Sequence, residues 1–175
     1  TDPSVSTSDW DDITVPGNWE VQGHGTAIYT NHGYEFKPRN PQPPLLPEAN
    51  PVGVYRRDFE VPAGWDGRGL YVYVNGKEVG YSEDSKNPAE FLINKYLQPG
   101  KNVLTLKIFR WSTGSYLECQ DFWRLSGIER DVYLWSQPKI AVNDYRIVST
   151  LDDTYKNGIF SLAIDIKNHS DKVKN

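Results

Sequence analysis

An all-β fold, an antiparallel β-sandwich or jelly roll, is what this sequence predicts. Three observations carry the prediction. Short runs of β-branched and aromatic residues alternate in character over most of the chain. Gly, Pro and Asn-Gly breakers separate those runs. Only one stretch, "NPAEFLINKYL" from Asn87, has helix-like spacing, and it is short.

The elements follow in order. "VGVYRRDFEVP" from Val52 is rich in β-branched and aromatic residues and bounded by breakers, as a strand is. "GLYVYVNGKEVG", Gly69 to Gly80, sets Leu70, Val72 and Val74 against Tyr71 and Tyr73. It then turns at Asn75-Gly76, a pair suited to a turn whose two central residues need positive φ. "KNVLTLKIFRW" from Lys101 puts Leu104, Leu106 and Ile108 on one face, after a Pro99-Gly100 turn. "RDVYLWS" from Arg130 reads as a further strand.

Two segments break this pattern. Tyr34 to Gly53 holds six prolines in twenty residues, which argues against helix and central strand. Such a strap either lies over the sandwich surface or reaches another domain or subunit, and both readings stay open. After Pro138, "KIAVNDYRIVSTLDD" and "GIFSLAIDIKNHSD" are strand-like runs joined through Tyr155-Lys156-Asn157-Gly158. Two strands do not make an independent domain. The expectation is therefore a first domain over 1–138, and in 139–175 the truncated start of a second sandwich.

Composition bounds the function. The 175 residues carry 13% aromatic and 38% hydrophobic side chains, enough for a core. Net charge is −4 with no basic run, which argues against nucleic acid or an anionic membrane as partner. No apolar stretch approaches the roughly 20 residues of a membrane span. Cys119 is the sole cysteine, so an internal disulfide is excluded and the compartment stays open. The opening Thr1-Asp2-Pro3-Ser4 lacks a targeting pattern and reads as an excision from a longer chain.

No hydrolase elbow, phosphate loop or zinc-spaced His/Cys cluster is present. His24, His32 and His169 are scattered and read as surface or turn residues; Glu83-Asp84 reads as a solvated turn. What remains is polar residues set in aromatic sequence: Asn31 in "AIYTNHGYEF" and Asp121 in "SYLECQDFWR". The plain reading of Asn31 is a turn residue, and that of Asp121 an ion pair with Arg124 or Arg130. The alternative is a sugar site, where rings stack on pyranose faces and carboxylates or amides bond hydroxyls.

"GSYLECQDFWRLSGIERDVYL" resembles the signature near the end of the N-terminal domain of family 2 glycoside hydrolases, β-galactosidases in particular. "DDITVPGNWEVQGHGTAIYTN", "NPVGVYRRDFEVP" and "YVYVNGKEVGYSEDSKNPAEFLI" resemble that group too, in the same order, so the likeness covers roughly residues 9–138. It implies a galactose-binding-like jelly roll followed by the first strands of an immunoglobulin-like sandwich. It also implies that two glutamates of a later barrel, outside this chain, hydrolyse β-galactosides with retention. By motif, Asn31 and Asp121 match positions that reach the galactose, and Asp121 a position that touches sodium in some members. Trp123, Arg124 and Gly127 would then hold the turn that aims Asp121 outward.

Further expectations come with the resemblance. Magnesium would bind through residues beyond this chain, and the partners would be a β-galactoside, the remaining domains and further copies in a homo-oligomer. A free-standing carbohydrate-binding module and a structural or oligomerisation domain are the competing readings. Cys119 stands where better-known members carry an acid. Arg68 runs straight into Gly69-Leu70 where the family has another strand. Residues missing there would separate the two Cα atoms beyond the ~3.8 Å of a trans peptide.

Overall fold

A computed structural model describes residues 2, 4–31, 33–36, 40–61, 75–83, 87–118 and 120–170. The expectations for the strand at 70–74, for His32, Asp84 and Cys119, and for the Arg68–Gly69 junction lie outside those residues. Two compact units result, and among the described residues one holds 2–61 and 75–134, the other 135–170.

Among the described residues, the regular structure of the first unit is antiparallel β plus short 3₁₀ turns, the class expected. Its strands are β1 (Gly17–Asn18), β2 (Ile28–Thr30), β3 (Val52–Glu60), β4 (Lys101–Phe109), β5 (Phe122–Arg124) and β6 (Gly127–Ile128). β3 and β4 pair along their whole length, from Val52 opposite Phe109 to Glu60 opposite Lys101. The alternation of β4 turns Asn102 and Leu104 inward and leaves Lys101 and Lys107 exposed. β2 pairs with β5, and β1 with β6.

Asn75-Gly76 turns as its sequence requires, with φ of 54° and 73°. The turn is docked on β4. Asn75 N–H donates to Val103 O (2.8 Å), and Val103 N–H donates back to Asn75 Oδ1 (2.9 Å). Asn75 Nδ2 also reaches Asn102 Oδ1 at 2.9 Å. Asn102 is fully buried, and its own amide donates to the carbonyls of Gln98 and Gly100, so both ends of the side chain are satisfied.

Two expectations need correction. The helix-like stretch at 87–97 contains only one 3₁₀ turn, Asn94–Tyr96. Helical spacing over so few residues cannot offset nucleation without a longer packed face. Residues 130–136 form no strand, and Gln137 just beyond them makes an isolated bridge. Residue type there suits a strand, but β preference is realised only through cross-strand partners.

The second unit is a hairpin of β7 (Ile140–Leu151) and β8 (Gly158–Asn168), with a register irregularity between Val142 and Asp144. Its turn is built on Asp152, which accepts bonds from Thr154 N–H, Thr154 Oγ1, Lys156 N–H and Asn157 Nδ2. Those donors, Asn157 foremost, hold its carboxyl well below the usual carboxylate range.

Candidate functional site: an aromatic and acidic strand edge

β2 and β5 run antiparallel with Ile28 opposite Arg124, Tyr29 opposite Trp123 and Thr30 opposite Phe122. Asn31 follows Thr30 and Asp121 precedes Phe122, so both sit just past the same end of the ladder. Both are exposed. Tyr29 Oη donates to Asp121 Oδ1 at 2.8 Å, and its ring lies 5.7 Å from Trp123, tilted by 60°. The facing carboxylate raises the Tyr29 phenol above its usual value, mainly through that hydrogen bond. Tyr29 and Trp123 are both about half exposed. One edge therefore presents two large rings, a carboxylate and an amide to solvent.

Among the described residues Asp121 pairs with neither Arg124 nor Arg130. Arg124 Nε lies 3.3 Å from Glu35 Oε2, and Asp121 takes the Tyr29 phenol instead. Arg124 and Glu35 are 9% and 8% exposed at the side chain. Arg124 also holds its own strand, with its guanidinium 5.1 Å from the Phe122 ring centroid and Nη1 donating to Phe122 O at 3.4 Å.

A second buried pair supports the other end. Arg110 Nη1 lies 3.3 Å from Glu20 Oε1, with Glu20 wholly buried. Glu20 Oε2 accepts from Ser126 N–H at 2.8 Å, while Arg110 Nη2 donates to Thr26 O (3.0 Å) and Arg124 O (3.4 Å). Arg110 thus links the segment entering β2 to the last residue of β5. Gly127, with φ 136°, carries the chain from β5 into the β1–β6 pair. A Cβ there would come within 2.5 Å of Gly17 O, so only glycine fits.

The proline-rich strap is pinned on its own chain at both flanks. Tyr34 and Phe36 pack on Tyr116 with centroids at 4.9 and 5.4 Å, and Phe36 meets Trp111 at 5.0 Å. Tyr116 Oη donates to Leu45 O, and Asn50 exchanges two hydrogen bonds with the Trp111 backbone. That geometry holds residues 34–36, 45 and 50 on their own chain, although Leu45 remains 59% exposed.

Glu83 is half-buried and hydrogen-bonded, and the turn read at Glu83-Asp84 runs outside the described residues. Glu83 accepts from the Tyr81 phenol and the Thr113 hydroxyl, and these donors, Thr113 first, hold its carboxyl below its usual value. His24 and His169 are turn and surface residues as read. The sequence pattern does not mark Tyr29 or Glu35 as site residues. Tyr29 stands two before Asn31 in the sequence, the one local signal for it, and nothing local marks Glu35.

Among the described residues no group of three or more His, Cys, Asp or Glu could hold a metal ion. Asp121 presents one carboxylate oxygen beyond its bond to Tyr29, which suits a single ligand of a hard cation and no more. The edge has the parts for binding hydroxyls and stacking a ring, without a nucleophile or a paired acid and base. Architecture and edge together define an antiparallel β module with an exposed edge of aromatic, carboxylate and amide groups.

The chain belongs to the glycosyl hydrolase family 2 sugar-binding domains, whose family model matches residues 4–138. It is 43% identical over 180 residues to a beta-galactosidase of Priestia megaterium, covering 95% of this chain and 17% of that protein. It is 45% identical over 166 residues to a beta-galactosidase of Vibrio cholerae, covering 89% and 16%. The chain thus spans about a sixth of the length of these curated relatives. A crystal structure of a beta-glycosidase from Bacteroides vulgatus superposes with a TM-score of 0.67 at 21% identity. It covers 97% of this chain and 22% of that one, a likeness of fold.

Proposed function

We propose that this chain is the N-terminal part of a retaining β-galactosidase, in which the β2–β5 edge shapes the galactose subsite. The observation that carries the reading is the shared position of Asn31 and Asp121, with Asp121 fixed by Tyr29. The relatives named beta-galactosidase support it. Residues 1–138 then act as the sugar-binding domain and 139–175 begin the next sandwich.

In this reading Asp121 accepts hydroxyl protons of the sugar as hydrogen bonds, or contributes one oxygen to a sodium ion whose other ligands lie outside the chain. Such an ion would fix a sugar hydroxyl electrostatically. Asn31 donates and accepts at the rim. The two glutamates that protonate the leaving group and attack the anomeric carbon belong to a later domain, as does any magnesium site. The full-length polypeptide is expected to be a homo-oligomer.

The test compares the chain alone with the full-length polypeptide on an aryl β-galactoside. Turnover by the stringently purified chain overturns the reading; turnover only by the longer polypeptide supports it. Sugar binding by the chain alone, with no activity in the longer polypeptide, points instead to a free-standing carbohydrate-binding module.

A further inference from the structure

We propose that the buried Glu35–Arg124 pair is the positioning device of the galactose-binding edge, an inference that rests on the function just proposed. Glu35 lies four residues after Asn31 and Arg124 three after Asp121, so the contact ties the two segments leaving those residues. It joins positions 89 apart. Arg124 meanwhile grips Phe122 by its carbonyl and its ring, and Phe122 pairs with Thr30, the neighbour of Asn31. Moving Arg124 therefore moves both halves of the edge.

Stability is a poor explanation for this pair. Glu35 Oε1 is buried and has no hydrogen-bond partner, so the carboxylate is only half satisfied. An ion pair desolvated on these terms is often replaced by packed apolar side chains without loss of stability. What apolar side chains cannot supply is direction. One planar guanidinium that gives Nε to Glu35 and Nη1 to Phe122 O holds the Glu35 segment and the start of β5 together.

The test uses the full-length polypeptide and a double substitution, Glu35→Leu with Arg124→Met, which removes both charges and keeps apolar bulk. The expected result is an unchanged melting temperature and about a tenfold rise in KM for an aryl β-galactoside. The dissociation constant of an unreactive β-thiogalactoside should rise in parallel, with kcat held within about twofold. A double variant that melts normally and binds the thiogalactoside as the parent does overturns the inference. If the double variant does not fold, Arg124→Lys, assayed where it is folded, carries the same comparison, since lysine keeps the charge and loses the planar fork. Asp121→Asn, measured alongside, separates the two levels. Weakened binding there with parental binding in the pair variant overturns the positioning role alone. Parental binding in Asp121→Asn overturns the galactose-site reading, and the inference falls with it.

Discussion

The Tyr29 hydroxyl and the Asp121 carboxylate, 92 positions apart, meet in a 2.8 Å hydrogen bond across the end of the β2–β5 ladder. That contact separates two accounts of Asp121. A buried arginine partner would make it a structural anion; an exposed carboxylate steered by a phenol is available to a ligand.

Asp121→Asn should accordingly leave the melting temperature near the parent value, because no ion pair is broken. In the full-length polypeptide it should lower kcat/KM by roughly tenfold to a hundredfold, the worth of one charged hydrogen bond of about 1.5–3 kcal/mol. Any sodium dependence should flatten as well. Calorimetry and sodium titrations of the rate on the same variant decide it: parental kinetics in a destabilised protein refute this role.

Tyr29→Phe keeps the ring against Trp123 and removes the donor to Asp121. Releasing the carboxylate should raise KM about fivefold, equivalent to about 1 kcal/mol, with little change in stability. Steady-state kinetics and thermal melts of this variant, compared with Asp121→Asn, also show whether the two act through one contact.

Gly127→Ala forces a Cβ to within 2.5 Å of Gly17 O at a φ of 136°. We expect a loss of at least about 1–3 kcal/mol in urea unfolding, from backbone strain alone. An alanine variant of parental stability would show that β6 shifts freely.

Tyr81 gives a pH signature. Its hydrogen bond to Glu83, with lesser help from burial and from the same carboxylate's charge, pushes the phenol up to about 12 from 10.0. A raised pKa means that the folded state holds the proton longer. The contribution is therefore complete below pH 10 and lost as pH rises towards 12. Glu83 has the opposite sign: its contribution is complete above 4.5 and lost as pH falls through its lowered value. Phenolate absorbance should lose a component titrating near 12 in Tyr81→Phe, while the raised phenol of Tyr29 stays in place.

What was legible in the sequence was what is local. β3, β4, β7 and β8 announce themselves because alternation and breakers act within ten residues, and Asn75-Gly76 because its turn demands positive φ. The run at 130–136 misleads because composition carries no information about a pairing partner. Asn31 and Asp121 stood out as polar residues among aromatics, but their shared position depends on the register of strands far apart in the chain. The partners of Arg124 and Glu83 were likewise out of reach. Glu35 and Thr113 lie 89 and 30 positions from them, where spacing along the chain predicts nothing.

That separation also bears on how the molecule forms. Closing a loop of some ninety residues costs about 4 kcal/mol of chain entropy, so the β2–β5 edge is among the contacts that topology makes slow and easily lost. A ligand touching both Asn31 and Asp121 would behave like a reversible cross-link over that loop. Its affinity would then appear as protection of Tyr29 and Trp123 amides from hydrogen exchange, even where no chemistry follows.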